Sequence, residues 1–197
     1  MSIVCKGVIM DFDRTLVCLD VDWASAYDKL NEICNEFGVR LNNFDVLGSI
    51  MQSYGSLKEK SDGGKLAYRF YYKAMKILTQ VELAGLDKSK PIPNAKQVLR
   101  WLGKKKIPFA IVSNNDSLCI AAAFKKFGFP APIVFIGRDK VMFPKPDTQG
   151  VLIALDIMKL KPEECWLVGD SEIDLKLGRV LGMRVIISDL LQLKQAL

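Results

Sequence analysis

The chain has 197 residues, half of them hydrophobic, which is enough to bury the core of one compact domain with or without an insert. It shows neither an apolar run of the roughly 20 residues that cross a membrane nor a signal-peptide pattern, so we expect a soluble, cytoplasmic protein without a membrane partner. The absence of histidine excludes an imidazole base, a phosphohistidine and a His-ligated metal, while the formal charge of +6 favours anionic partners.

The first predicted element is a buried strand, Ile3–Met10, that is short, apolar and rich in β-branched residues. Three amphipathic helices follow without an intervening strand, and each is predicted to stop at a glycine. These helices are predicted at Trp23–Phe37, Phe44–Tyr54 and Lys65–Ala84. The proline-containing stretch Leu86–Pro93 is predicted to be a linker.

Beyond this linker, helix and strand patterns alternate to the end of the chain. The predicted helices are Asn94–Lys104, Ser117–Phe127, about Asp147–Met158, one that ends at Leu181, and a short terminal helix. The predicted strands are Phe109–Val112, Ile133–Ile136, Trp166–Val168 and Arg184–Ile187. Such alternation predicts an α/β fold with a Rossmann-like parallel sheet and helices on both faces. The core is therefore predicted to be discontinuous, residues 1–17 plus 90–197, with an all-helical insert at residues 18–89.

The cysteines and the lysine runs do not indicate further function. The five cysteines are scattered and form no CxxC pair, so neither a disulfide framework nor a zinc cluster is expected. The runs Lys104–Lys106 and Lys125–Lys126 lie near the ends of predicted helices, where cations complement the helix dipole. We therefore expect no nucleic-acid partner, and the charge fits phosphorylated metabolites.

Two acids, Asp11 and Asp13, come directly after the first strand. In extended chain their side chains project to the same side, and two acids held close together need a cation or a shared proton. Two acids at this spacing, taken by themselves, also occur by chance in loops. The carboxyl end of a buried strand is nevertheless where ligands bind in open α/β sheets.

A second acidic site lies where the strand Trp166–Val168 meets a helix through Gly169. Asp170 and Asp174 are four residues apart and face the same way if the helix begins by Ser171. Capping of a helix N-terminus is the alternative explanation for these acids. Carboxylates converging after strands of one sheet suit Mg²⁺, a hard cation that prefers oxygen ligands.

Two further positions are of a type that binds phosphate. Ser113 and Asn114 follow the strand Phe109–Val112 and precede a helix, although helix capping would explain them equally well. Lys145 lies between Pro144 and Pro146, which place a cation on a stiff loop.

Together and in this order, these sites resemble the motifs of the haloacid dehalogenase superfamily. The resemblance is specifically to its phosphatases that carry a helical cap after the first motif, which are phosphoglycolate phosphatase-like. Residues Asp11 to Leu16 resemble the first motif, DxDxT, except that Arg14 stands where capped members commonly have glycine.

The resemblance implies a role for each matching residue. Asp11 would be the nucleophile and Asp13 the general acid and base. The implied substrate-binding residues are Thr15, Ser113, Asn114 and Lys145, of which Lys145 also assists catalysis. The implied Mg²⁺ site uses Asp11, Asp170, the backbone carbonyl of Asp13, and Asp174 as a ligand or supporting acid.

The expected function is therefore hydrolysis of a small phosphate monoester by a Mg²⁺-dependent phosphatase, through an aspartyl-phosphate. The chemistry suits the residues, since a carboxylate nucleophile divides a difficult hydrolysis into two steps and needs no histidine. A phosphomutase of the same superfamily and a non-catalytic binding module are the alternatives. The expected partner is a small phosphorylated metabolite, and the sequence leaves its identity and the oligomeric state open.

Overall fold

The structure is a computed structural model that describes residues 5–42, 45–60, 64–187 and 189–196. Its strands are β1 (Gly7–Met10), β2 (Val17–Cys18), β3 (Lys90–Pro91), β4 (Phe109–Val112), β5 (Phe135–Ile136), β6 (Cys165–Gly169) and β7 (Arg184–Ile187). Its helices are α1 (Trp23–Phe37), α2 (Val46–Lys60), α3 (Lys65–Gly85), α4 (Ala95–Lys104), α5 (Ser117–Phe127), α6 (Gln149–Met158), α7 (Glu172–Leu181) and α8 (Leu190–Ala196). Single 3-10 turns occupy Arg138–Lys140 and Pro162–Glu164.

Five strands form one parallel sheet in the order β5-β4-β1-β6-β7. In register, Ile9 of β1 lies between Ala110 of β4 and Leu167 of β6, so β1 is the central strand. Strand β4 lies on one side of β1 and strand β6 lies on the other, so the strand order reverses at β1. This reversal of strand order opens a crevice beyond the carboxyl ends of the strands, where ligands bind in such sheets.

Both faces of the sheet are covered. Successive side chains of a strand point to opposite faces, and all four residues of β1 are buried, as are all four of β4. On one face, Ile9 and Leu167 belong to a core that includes Val151 of α6 and Leu177 of α7. The prediction of an α/β, Rossmann-like fold is confirmed.

The chain divides into two compact units. One consists of residues 1–20 and 86–197, and the other of Val21–Gly85. The predicted boundaries, after residue 17 and before residue 90, lie a few residues away because a short β2–β3 ladder, in which Val17 pairs with Pro91, extends the sheet unit. The N–H of Asp20 also donates to the hydroxyl of Ser89 at 2.9 Å. The function of the helical unit as a cap stays a prediction.

The helical unit consists of α1, α2 and α3 around an apolar core of its own. Leu30 of α1, Ile50 of α2 and Phe70 of α3 are fully buried in that core. Helix α1 begins at an Asp22 cap, whose carboxylate accepts from the N–H of Ser25, and ends at Gly38 with a left-handed φ of 63°.

Several predicted element bounds are wrong. Helix α2 runs through Gly55, where the predicted helix ended, because its buried face continues from Ser53 to Leu57. Strands β2 and β3 were not predicted, since two residues carry no readable alternation. The predicted starts of the first strand and of the second helix, Ile3 and Phe44, lie outside the described residues.

The strand predicted at Ile133–Ile136 is shorter, the one predicted at Trp166–Val168 is longer, and α6 begins later than expected. None of the described helices is both long and apolar enough to cross a bilayer.

Candidate active site

Three neighbouring strands deliver polar side chains to one edge of the sheet. Asp11 follows β1, Ser113 follows β4 and Asp170 follows β6. The N–H of Asp11 donates to the carbonyl of Val168 at 2.8 Å, and the N–H of Ser113 donates to the carbonyl of Ile136 at 3.0 Å. Ladder hydrogen bonds thus hold the backbone on both sides of the crevice.

Lys145 lies between two of the carboxylates. Its Nζ is 2.8 Å from Oδ1 of Asp11 and 2.7 Å from Oδ1 of Asp174, and its side chain is 8% exposed. Burial lowers the pKa of Lys145, but the charges and hydrogen bonds of Asp11 and Asp174 outweigh burial and hold that pKa above its usual value. Lys145 is therefore a protonated, buried cation beside Asp11.

Asp174 is fully buried in the first turn of α7. Its Oδ2 accepts hydrogen bonds from the hydroxyl of Ser171 at 2.6 Å and from the N–H of Ser171 at 3.3 Å, as part of a capping box. A Cβ on Gly169 would collide with the Asp174 side chain, so only glycine admits the carboxylate here. Asp174 thus caps its helix with one oxygen and holds Lys145 with the other.

Asp170 completes a cluster with Asp11 and Asp174, since one carboxylate oxygen from each lies within 4.8 Å of the others. Burial, and then the charges of Asp11, Asp174 and Asp13, raise the pKa of Asp170 to about 6, against the opposing effect of Lys145. The three clustered carboxylates of Asp11, Asp170 and Asp174 outnumber the one ammonium of Lys145, which leaves net negative charge at this crevice. This set of hard oxygen donors with excess negative charge fits a divalent cation such as Mg²⁺.

Asp13 lies in the tight turn that follows β1. The N–H of Leu19 donates to Oδ1 of Asp13 at 2.9 Å, which fixes the carboxyl group. Burial raises the pKa of Asp13, the Leu19 hydrogen bond lowers it, and the charge of Asp11 raises it, with a net increase. Arg14 has a left-handed φ of 58°, and the Thr15 hydroxyl is 3.4 Å from Oδ2 of Asp11.

The loop after β4 contacts the lysine loop. Asn114 uses both polar atoms of its amide on the backbone of Lys145, because Oδ1 accepts from the Lys145 N–H at 2.8 Å and Nδ2 donates to the Lys145 carbonyl at 2.9 Å. Ser113, buried beside it, donates from its hydroxyl to Oδ1 of Asn115 at 3.0 Å. Substrate contact by Ser113 and Asn114 stays a prediction, whereas the Asn114 side chain holds the Lys145 backbone.

The sequence did not single out Arg138. This residue follows β5 and is 3% exposed, and its guanidinium reaches the carbonyl of Asn114. The sequence offered one signal for this residue. A glycine and then this arginine follow directly after a predicted strand, and the arginine lies seven residues before Lys145. An arginine in a polar stretch with Asp139 and Lys140 resembles a surface residue, and its burial follows only from the fold.

The comparison with protein families agrees with this arrangement. The family model for haloacid dehalogenase-like hydrolases matches residues 8–188. The chain belongs to this family. The resemblance seen in the sequence motifs is thereby confirmed.

Individual relatives are similar to most, or to about half, of this haloacid dehalogenase-like hydrolase. Hexitol phosphatase A of Escherichia coli is 26% identical over 186 residues, which are 92% of this chain and 82% of that protein. A phosphoglycolate phosphatase of Pseudomonas putida is 23% identical over 95 residues, 48% of this chain and 35% of that protein.

Solved structures show the same fold. A haloacid dehalogenase-like hydrolase from Bacteroides fragilis superposes with a TM-score of 0.65 at 22% identity, covering 92% of this chain and 86% of that one. A hydrolase from Pseudomonas syringae gives 0.64 at 20% identity, covering 97% and 90%. The fold of this chain is therefore also found in solved hydrolase structures.

Proposed function

We propose that this hydrolase is a Mg²⁺-dependent phosphatase that cleaves a small phosphate monoester through an aspartyl-phosphate on Asp11. The observation that carries the proposal is the buried contact of Lys145 with Asp11 at the carboxyl end of the central strand. A carboxylate held beside a buried ammonium, in a crevice with further acids, suits attack on the phosphorus of a dianionic ester.

In the first step an oxygen of Asp11 forms a bond to phosphorus while the bond from phosphorus to the ester oxygen breaks. Asp13 donates a proton to the departing oxygen, so the alcohol leaves neutral. The raised pKa of Asp13 favours this protonated state, and the Leu19 N–H holds the carboxyl group in place through Oδ1. The products of this step are the alcohol and the phosphorylated carboxylate of Asp11.

In the second step Asp13, now a carboxylate, takes a proton from a water molecule that attacks the phosphorus. The bond from phosphorus to Asp11 breaks, and inorganic phosphate leaves. Lys145 and the Ser113 hydroxyl bind the phosphoryl oxygens in both steps. Asn114 supports this binding by holding the Lys145 backbone.

Mg²⁺ would be held by Asp11, Asp170 and the backbone carbonyl of Asp13, with Asp174 as a ligand or supporting acid. An ion bound there would neutralise charge on the phosphoryl group. The cluster of Asp11, Asp170 and Asp174 and its net negative charge support this assignment.

The substrate class is a small phosphorylated metabolite. The names of the relatives, a hexitol phosphatase and a phosphoglycolate phosphatase, suggest a panel of hexitol phosphates, sugar phosphates and phosphoglycolate. Release of phosphate with and without Mg²⁺, ranked by kcat/KM, tests the proposal. A folded protein that releases no phosphate from any ester would contradict it and favour a binding module, whereas transfer of the phosphoryl group to a second sugar would identify a mutase.

The covalent step is tested with two matched substitutions. Asp11→Asn should abolish turnover while the protein remains folded, because the amide has the same volume but cannot attack phosphorus. Asp13→Asn should still be phosphorylated by an aryl phosphate, whose leaving group needs no proton, and should show a burst of aryl alcohol followed by turnover slowed by about 10²–10⁴-fold. Rapid quench and peptide mapping would locate the phosphate at residue 11, and an absence of phosphoenzyme in Asp13→Asn would contradict the covalent route.

A further inference from the structure

A buried arginine in the turn after β5 contacts the loop after β4, whose Asn114 holds the Lys145 backbone. The guanidinium of Arg138 donates from Nη1 to the carbonyl of Asn114 at 3.1 Å, and its Nη2 lies 3.9 Å from Oδ2 of Asp116. The backbone N–H of Arg138 also donates to the carbonyl of Asn115 at 3.0 Å. Arg138 thus contacts three successive residues of the loop that follows β4.

The preceding glycine permits this close approach. A Cβ on Gly137 would collide with the carbonyl of Asn115 and with the N–H of Ser117. The turn after β5 therefore packs directly against the backbone of the loop after β4. A buried arginine needs such partners, because an unpaired buried charge is costly.

The contacts continue from this loop to the catalytic lysine. Arg138 holds the carbonyl of Asn114, and the side chain of the same Asn114 holds both the N–H and the carbonyl of Lys145. The Lys145 ammonium in turn contacts Asp11. A shift of Asn114 would move the backbone from which the Lys145 side chain extends.

We propose that Arg138 is a positioning residue for phosphoryl transfer, which acts on Lys145 through Asn114. This inference rests on the phosphatase function proposed above. A charged, planar donor suits the task because the guanidinium can contact the Asn114 carbonyl and the Asp116 carboxylate from one rigid group.

Asp139 offers a matched control in the same turn. Its carboxylate accepts from the N–H and the hydroxyl of Ser117, at the start of α5, rather than from Asn114. Asp139→Asn therefore perturbs the same 3-10 turn but leaves the contact from Arg138 to Asn114 in place. A loss of activity caused by general loosening of the turn would appear in both variants.

The experiment compares Arg138→Met with Asp139→Asn in the full chain. Removal of one charge-assisted hydrogen bond should lower kcat/KM of Arg138→Met by about tenfold to hundredfold, while Asp139→Asn stays within about twofold of the wild type. The inhibition constant of orthovanadate, an analogue of the phosphoryl-transfer transition state, should rise in Arg138→Met alone. A structural role would reduce the active fraction, and hence kcat, without changing that inhibition constant.

A double variant tests the route through Asn114. In a background of Asn114→Leu, which cannot hold Lys145, Arg138→Met should cost no more than about a further twofold, because the intermediate contact is already lost. Losses that multiply, or an Arg138→Met variant with the kcat/KM and vanadate affinity of the wild type, would overturn the inference. If Arg138→Met fails to fold, Arg138→Lys keeps the charge opposite Asp116 without the planar fork and allows the same comparisons.

Failure of the proposed function is distinguishable from failure of this inference. A wild-type protein that hydrolyses no ester would contradict the phosphatase activity. Binding of orthovanadate and inorganic phosphate by calorimetry needs no turnover, so the same variants would still decide whether Arg138 governs the affinity of this site for a phosphoryl group.

Discussion

At the scale of single residues, Lys145 is the group on which most of the site depends. Its ammonium contacts two buried carboxylates, so it neutralises acids that would otherwise repel each other. Because the folded-state pKa of Lys145 is raised, its stabilising contribution is fully present below the unfolded pKa of about 10.5 and is lost only as the pH rises through the folded value. At neutral pH the full contribution is therefore present.

We expect Lys145→Met to destabilise the protein and to impair catalysis. Asp11 and Asp174 would be left buried without their shared cation, and removal of one partner of a buried ion pair typically costs about 3–5 kcal/mol. Urea unfolding at pH 7 with EDTA, followed by circular dichroism, measures this loss. Lys159→Met is the control, because Lys159 is exposed and pairs with the exposed Asp156, and it should change the free energy of unfolding by less than about 0.5 kcal/mol. Equal effects of the two substitutions would contradict the assignment.

At the scale of elements, the junction of β6 and α7 places Asp174 through the close approach of Gly169. We expect Gly169→Ala to displace the Asp174 carboxylate, because the added Cβ would occupy its position. The variant should need more Mg²⁺ for its half-maximal rate and should lose at least about tenfold in kcat/KM, in proportion to one lost charge-assisted hydrogen bond to Lys145. Steady-state kinetics over a Mg²⁺ titration measures both effects.

Gly103→Ala is the matched control for Gly169→Ala. Gly103 lies in α4, and a Cβ there meets no neighbouring atom. Alanine is the better helix former, so this control should be neutral or slightly stabilising. A Gly169→Ala variant with unchanged metal dependence would show that Asp174 can move without consequence for the site.

The contact of Asp139 with Ser117, at the start of α5, should make a pH-dependent contribution to stability. Burial raises the pKa of Asp139, but hydrogen bonds from Ser117 outweigh it and hold the pKa below its usual value. A lowered pKa stabilises the fold above the unfolded value, near 3.8, and that stabilisation is lost as the pH falls through the lower, folded value. Asp139→Asn should therefore lose about 0.5 kcal/mol equally at pH 7 and pH 5, after allowance for partial exposure, and a smaller amount near pH 3. Urea unfolding at the three pH values measures the difference, and a deficit that persists at pH 3 would show that ionisation is not involved.

The same elements show what the sequence could and could not predict. Strand Phe109–Val112 and helix Ser117–Phe127 were predicted with correct bounds, because an apolar run and a helix that ends at Gly128 are local signals. The helix end predicted at Gly55 was wrong, since the packing of α2 on α3 outweighs the low helix propensity of one glycine.

The candidate site shows the same division. Acids at strand ends could be expected to lie together, because parallel strands end at one edge of a sheet. The two-point contact of Asn114 with the Lys145 backbone and the burial of Arg138 depend on the path of an irregular loop. Hydrophobic periodicity does not determine such a path, so these contacts could not be read from the sequence.

At the scale of the whole molecule, each unit has a core of its own. The core around Ile9 and Leu167 uses residues of the sheet unit, and the core around Leu30 and Phe70 uses residues of the helical unit. The two segments of the sheet unit that flank the helical unit are also held together, because β2 pairs with β3. We propose that the sheet unit folds by itself and carries the chemistry, and that the helical unit acts as a cap that excludes water.

Replacement of residues 21–85 by a short Gly/Ser linker tests this proposal. A linker of about four to six residues should suffice, because Asp20 and Ser89 are joined by a hydrogen bond in the intact protein. We expect a cooperatively unfolding core that hydrolyses an aryl phosphate, whose good leaving group needs little assistance, but that loses most of its kcat/KM on hexitol phosphates and phosphoglycolate. Circular dichroism, urea unfolding and phosphate release from both kinds of ester provide the measurements, with the full chain as the reference. An excised core that does not fold would contradict the independence of the two cores, and one that keeps full activity on the small esters would show that the helical unit has no part in catalysis.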